Sequence, residues 1–282
     1  MDPREDQFVW NAWYPVGSPI EIHRQQRNRT WLLGREIKLT ASQTRIEAAC
    51  EGRALPIIEE LGYAWTTLGQ PSKPPQSFIE YNEPDRVSMN IWSTPIKCSG
   101  LRIVDNVIDN AHTPFVHPGI LGDEAHLEFP PYENQVDKDG VLWSLRHEAW
   151  LPLINAVGIY TYRISEPYTV VLFIHRPRAE GEPQRFDCIG IFAQPINEES
   201  FVAHKMFAWV KEDWMVLRQL RSDQQWMSVQ DKYCLERHNP KKLPLVRDIE
   251  VSTSVDSASL AYRKWLLEHD VRYGAIRSEE PS

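Results

Sequence analysis

Between residues 141 and 210 the chain runs through five strand-like stretches, at 141–150, 159–165, 168–175, 185–195 and 201–210. Turn signals separate most of them: Glu166-Pro167, Arg176-Pro177, Gly181-Glu182-Pro183 and Asn197-Glu198-Glu199. Links this short leave no room for a crossover helix, so neighbours must pair antiparallel. A further strand is expected at 86–97. After the meander, a helical pattern runs over 214–232, with Leu217, Leu220 and Trp226 supplying a buried stripe. A second helix opens near Asp256, a residue suited to an N-cap. Upstream, residues 8–70 give short strands at 13–17, a hairpin-like pair at 30–39 around Gly34, and further strands at 45–48 and 63–69. The proline-rich run 71–75 (PSKPP) is the expected boundary. The fold class is therefore α+β. A small all-β module (1–75) precedes a larger domain (76–282), in which an antiparallel sheet grips a C-terminal helix.

The stretch DNVIDNAHTPFVH, residues 105–117, carries the chemistry. Asn106, Asp109 and His112 recur every third residue, which keeps them along one helical face. His117 follows His112 by five residues and does not return to that face. Pro114 disfavours helix at the residue before it. The expectation is a ligand helix over 100–111, with His112 at its end and His117 from the turn beyond, so that both imidazoles meet on one ion. Imidazole suits iron, zinc, copper and nickel alike, and two histidines near a proline are also common in ordinary loops. Two histidines with one carboxylate and open positions form the facial triad of non-haem Fe(II) oxygenases. Asp213, where the last strand hands over to the long helix, is the candidate carboxylate. An acidic residue there also serves the helix dipole.

Composition excludes several other functions. The net charge of −8 gives no nucleic-acid footprint, and the short basic run at 24–29 is read as a solvated edge. No eighteen-residue apolar run is present, and the start, Met-Asp-Pro-Arg-Glu-Asp, is too charged for a signal peptide, so a cytoplasmic location without membrane contact is expected. Cys50, Cys98, Cys188 and Cys234 are widely spaced and read as reduced, mostly buried thiols.

The combined pattern, DNxxDxxHxxxxH followed by a strand meander and then Glu212-Asp213 ahead of a long helix, resembles the catalytic domain of Rieske non-haem iron oxygenases, in particular the demethylase-type members. The resemblance implies Fe(II) held by His112, His117 and Asp213. It implies that Asp109 is the bridging carboxylate, which hydrogen-bonds a ligand histidine and links it to a Rieske cluster, and that Asn106 lies near the iron. The N-terminal runs NAWYPVG, WLLGREIKL and GYAWTTLG resemble framework strands of a Rieske domain, yet Cys50 is followed by no histidine at the needed spacing. A [2Fe–2S] cluster of that type needs two cysteines and two histidines. The module is thus expected to keep the scaffold without the cluster, with Cys50 inert. Within the family, this economy resembles the cluster-less N-demethylase subunits of bacterial caffeine degradation. That implies a methylxanthine or similar small aromatic substrate, O2, formaldehyde as product, and electrons from NADH or NADPH through a partner reductase that carries the Rieske [2Fe–2S] cluster. It also implies a complex with a glutathione-S-transferase-like subunit or an oxygenase paralogue. Two alternatives stay open: a non-catalytic structural subunit of an oxygenase complex, and a zinc hydrolase built on the same triad. Of the other histidines, His126 is a candidate pocket or gate residue, while His147, His175 and His204 are read as satisfied strand residues.

Overall fold

The computed structural model describes residues 1–43, 45–212, 216–246 and 249–277, with only the backbone of Leu153. The N-terminal strands are β1 (Tyr14–Gly17), β2 (Arg29–Leu32), β3 (Arg35–Ala41), β4 (Ile46–Cys50), β5 (Arg53–Leu55), β6 (Ile58–Glu60) and β7 (Tyr63–Thr66). They form two antiparallel sheets, β1-β7-β6 and β2-β3-β4-β5. Short helices α1 (Gln7–Trp10) and α2 (Pro19–His23) flank them, and neither is expected from the sequence pattern. Three hairpins close with two residues each, at Leu33-Gly34, Glu51-Gly52 and Leu61-Gly62. In every one both turn residues have positive φ, for example 51° at Glu51 and 81° at Gly52. That is the turn whose twist matches paired strands. Residues 71–75 contain neither helix nor strand.

The main sheet has seven strands in the order β8-β14-β13-β12-β11-β10-β9, all antiparallel. These are β8 (Arg86–Ile96), β9 (Glu133–Val136), β10 (Leu142–Leu151), β11 (Ala156–Glu166), β12 (Thr169–His175), β13 (Phe186–Asn197) and β14 (Ser200–Val210). The expected meander forms with its strands within about three residues of their expected ends. In this sheet only β9 is an addition; it is a short, mostly exposed edge whose polar residues carry no alternating pattern.

Strand alternation divides the sheet into two faces. Val171, Phe173, Cys188, Phe192, Met206 and Ala208 pack against Trp13, Tyr63 and Trp65 of the N-terminal strands. Tyr63 Oη donates to Lys205 O at 2.9 Å, and Leu33 N to Pro195 O at 2.8 Å, so the two parts share hydrogen bonds as well as core. The opposite face presents Leu172, Ile174, Ile189, Ile191, Lys205 and Phe207, and it receives the helices. These are α3 (Leu101–Ile108), α4 (Thr113–Val116), α5 (Leu217–Leu235) and α6 (Ser257–Glu268). Gly100, at the start of α3, lies so close to the sheet that a Cβ there would meet Tyr168 Cδ1 at 2.8 Å. Glycine lets α3 seat on β12 and β13.

Helix α5 runs along β8. Arg221 Nε and Gln225 Nε2 donate to Ile91 O, and Lys232 Nζ to Pro95 O. These bonds blunt an otherwise open sheet edge. The buried stripe of α5 matches the expected one only at Leu220, which packs against the core cluster of Ile91, Ile189 and Phe207. Leu217 and Trp226 are 40% and 57% exposed, and the buried residues are Gln224, Met227, Ser228 and Leu235. The inward face mixes Gln224 and Ser228 with Met227 and Leu235, so apolar periodicity alone does not find the whole stripe. None of the described helices is long and apolar enough to cross a membrane.

Candidate metal centre

Helix α3 stops at Ile108, three residues short of its expected end. The cause is Asp109, whose Oδ1 accepts from Ala111 N at 2.7 Å and so takes a local bond in place of the next helical turn. His112 then stands at the N-cap and His117 at the C-cap of α4, a single turn with Pro114 in its first two positions. Pro114 therefore opens a second helix, where its missing N–H costs nothing, and does not merely end the first. One helical turn separates the two imidazoles, whose ring centroids are 5.5 Å apart.

The base of this turn is fixed from two sides. Asp105 Oδ2 accepts from Arg263 Nη2 of α6 at 2.8 Å, and the buried Arg102 pairs with Glu250 at 2.8 Å. On the sheet side, Tyr162 Oη donates to Asn110 Oδ1 at 2.7 Å and Asn110 Nδ2 to His147 Nδ1 at 3.2 Å. Burial pushes the His147 imidazole down to about 3, so it is neutral and accepts there. His204 and His175 are likewise satisfied, by Ser93 and Gln194 and by Thr161. His126 is exposed, bonded to Asp123 and stacked on Trp150, so it is a surface residue.

The carboxylate that meets the two imidazoles is Asp231, in the penultimate turn of α5. Its Oδ1 lies 3.0 Å from His117 Nε2 and 3.6 Å from His112 Nε2. Asn106 Nδ2 donates to the same oxygen at 3.1 Å, which brings the third motif residue to the site through Asp231. Asp213, the carboxylate expected to complete the set, lies outside the described residues. Among the described residues, His112, His117 and Asp231 are the group of three able to hold a metal ion, with donor atoms all within 4.8 Å of one another. Asp231 carries no motif in the sequence. Its signal is periodic: Gln224, Ser228 and Asp231 recur at i, i+4 and i+7, a polar line on the inward face of a long helix.

The residues fit a metal. Two donors bound at right angles by bonds of about 2.1 Å sit about 3.0 Å apart, against 3.0 Å to His117 Nε2 and 3.6 Å to His112 Nε2 around Asp231 Oδ1. The remote ring nitrogens are also engaged. His117 Nδ1 lies 3.0 Å from Gln230 Oε1, and His112 Nδ1 lies 3.3 Å from Asp109 Oδ2, at ion-pair distance but out of line for a hydrogen bond. Acceptors at Nδ1 fix the tautomer that turns both Nε2 lone pairs inward. Burial alone would lower the His112 pKa, but the Asp109 and Asp231 carboxylates overcome it and raise the imidazole to about 9. Burial likewise opposes ionisation of Asp231, yet His112 and His117 outweigh it and hold that carboxyl well below the usual range. Without a metal the two carboxylates thus favour a proton on His112, which metal binding would displace.

Two imidazoles and one carboxylate, set over one face of an antiparallel sheet, define the mononuclear site class used by non-haem oxygenases. Comparison with known proteins gives the family. Residues 96–269 match the vanillate O-demethylase oxygenase C-terminal domain. The chain is 30% identical to a probable methylxanthine N7-demethylase, NdmC, of Pseudomonas sp. (strain TJI-51), over 97% of this chain and 99% of that one. It is 29% identical to the methylxanthine N3-demethylase NdmB of Pseudomonas putida, over 62% of this chain and 47% of the relative. In fold it is similar to NdmA of Pseudomonas putida CBB5 with caffeine, at a TM-score of 0.77 and 18% identity over 100% of both chains. It is also similar to dicamba monooxygenase bound to 3,6-dichlorosalicylic acid, at a TM-score of 0.70 and 15% identity over 93% of this chain and 98% of that one. The chain belongs to the vanillate O-demethylase oxygenase family and is a Rieske-type oxygenase catalytic subunit, a demethylating monooxygenase.

Proposed function

We propose that the protein is a mononuclear iron N-demethylase acting on a methylxanthine, with Fe(II) held by His112, His117 and Asp231. Asp231 takes the place that the sequence pattern gives to Asp213. The observation that carries this reading is the convergence of both Nε2 atoms on Asp231 Oδ1. Bound iron would supply O2 activation, and the three protein donors leave positions for it. Asp109 and Gln230 orient the ligand imidazoles, and Asn106 restrains the carboxylate. Hydroxylation of an N-methyl carbon gives a hemiaminal, which breaks its C–N bond to release formaldehyde and leave N–H. The balance takes one O2, two electrons and two protons, and yields one water.

The electrons come from outside this chain. Residues 1–75 serve as a Rieske-like scaffold without a cluster, and residues 76–282 as the catalytic part. Cys50 is closed off by the two-residue turn at Glu51-Gly52. A partner reductase bearing a Rieske [2Fe–2S] cluster, fed by NADH or NADPH, then delivers electrons on the Asp109 side. A glutathione-S-transferase-like subunit or an oxygenase paralogue completes a cytoplasmic complex. The test is iron-loaded protein with 7-methylxanthine, NADH and the cognate reductase. Xanthine and formaldehyde should appear in equal amounts, and only when O2 is present. Stoichiometric iron without any turnover on this purine would reject the substrate, and loss of iron binding altogether would leave a structural subunit.

A further inference from the structure

On the sheet side the metal turn rests on a buried histidine, and the backbone of β10 is bent to put it there. Ser144 and His147 are both buried although three residues separate them in sequence. Regular alternation would place them on opposite faces. A β-bulge makes the difference: the pairing of β10 with β11 shifts register between them, and Arg146 takes a φ of 55°. A non-glycine residue holds that left-handed conformation at a cost, and strain of this kind clusters at functional sites. Bulges beside such sites re-aim a side chain. Here the result is a hydrogen-bonded chain whose donors all run one way. Tyr162 Oη donates to Asn110 Oδ1, Asn110 Nδ2 to His147 Nδ1, His147 Nε2 to Ser144 Oγ, and Ser144 Oγ to Asn134 Oδ1. The imidazole is 1% exposed and is gripped between the face of Tyr132, with ring centroids 3.6 Å apart, and the edge of Tyr162.

Asn110 is the pivot of the turn. It lies between Asp109 and Ala111, whose local bond ends α3, and its carbonyl oxygen accepts from Thr113 N and Thr113 Oγ1, where α4 begins. Its side chain is buried and held by Tyr162 and His147. We propose that His147 is a positioning residue for the metal centre, acting through Asn110 to fix the turn that carries Asp109, His112 and His117. A side chain that only filled the core would need neither a donor nor an acceptor. Without the Nδ1 acceptor the Asn110 amide is left buried and unpaired, and the turn must shift to repair it. Loss of a partner that orients a ligand typically changes metal affinity or activity by about 10–100-fold, and His147 acts one bond further out. For its effect on iron this rests on the metal site proposed above, but the ordering of the turn does not.

The experiment compares His147→Asn with His147→Gln. Asparagine puts an oxygen where Nδ1 stands and keeps the acceptor for Asn110. Glutamine reaches toward Ser144 instead and loses that acceptor. Amide hydrogen exchange is read in metal-free protein, and iron affinity by anaerobic Fe(II) titration. In His147→Gln the amides of Thr113, Val116 and His117 should exchange about tenfold faster or more, and iron should bind about tenfold more weakly. In His147→Asn both should stay within about threefold of wild type. Unchanged exchange in β12 and β13 shows that the variants are folded. Turn exchange unmoved in His147→Gln, an equal rise in both variants, or faster exchange with iron affinity unmoved would each overturn the positioning role. Wild type that binds no iron, with the expected exchange pattern, sinks the metal reading and leaves the ordering of the turn to His147. Tight iron binding with exchange that His147→Gln does not alter does the reverse.

Discussion

Two loops of this molecule can be set side by side: the hairpin tip after Cys50 and the turn between α3 and α4. The first is closed as tightly as a hairpin can be. Cys50 pairs with Arg53 across Glu51 and Gly52, and the thiol faces the core, where burial pushes its pKa up. The second is longer and held open by side chains from three directions, with its imidazoles turned toward Asp231. A tight turn needs only positive φ at two positions. A metal turn needs every outward-facing ring to be oriented by another residue. The donor-poor loop is therefore cheap in sequence, and the donor-rich one draws on residues from four elements.

The sharpest way to break this contrast is at Asp231. Asp231→Ala removes one of three donors, and anaerobic iron titration should find affinity reduced by more than the roughly 10–100-fold that loss of an orienting residue costs, with demethylation lost as well. Asp213→Ala should keep stoichiometric iron. Retained iron in the first variant with loss in the second would return the ligand role to Asp213.

That pair of variants also marks where sequence reading succeeds and where it stops. The meander was legible because short turns force antiparallel pairing whatever the tertiary context. His112 and His117 stood out only through the combined pattern, since a histidine pair near a proline is common by itself and gains weight from Asn106 and Asp109 at the preceding three-residue intervals. Asp231 was not legible, because its one local signal, the polar line with Gln224 and Ser228, looks like a solvated helix face until the helix is placed. Its role arises only when α5 lies along β8, a choice made by Arg221, Gln225 and Lys232 bonding to strand carbonyls. The buried face of α5 was partly misplaced for the same reason, since Gln224 and Ser228 on it are polar. Asp109 was placed on a helix that its own side chain terminates.

A smaller effect is expected one layer out. Asp109→Asn keeps the shape but removes the charge beside His112 Nδ1. Iron affinity or turnover should fall by about 10–100-fold, and the variant should remain as stable as wild type at neutral pH to within about 1 kcal/mol. An unaffected turnover number would make the carboxylate a spectator.

The two faces of the sheet can be compared by acid titration. His147 braces the metal turn on one side and His204 sits under Tyr63 on the other, and burial lowers each to about 3. Each imidazole is neutral in the fold, while its unfolded counterpart takes up a proton below about 6.5. The stability they contribute is therefore complete above pH 6.5 and is lost as pH falls toward 3, by about 1.4 kcal/mol per pH unit for each group. Urea midpoints should drop steeply between pH 6.5 and 4. His204→Gln should flatten the slope without touching iron content at pH 7, whereas His147→Gln should flatten it and also loosen the metal turn. Equal slopes in wild type and both variants would mean that other groups govern acid unfolding.

The smallest effect belongs to Cys50. If the hairpin tip is closed scaffold, Cys50→Ala costs only a small buried thiol, about 1 kcal/mol in urea unfolding, and leaves iron content and turnover with the partner reductase unchanged. The test is worth making because it separates two accounts of where reducing equivalents enter. A thiol whose pKa burial raises is a poor thiolate and a poor ligand. Loss of turnover in this variant with iron retained would therefore show that the N-terminal strands hold part of the electron path, and the contrast between the two loops would have to be redrawn.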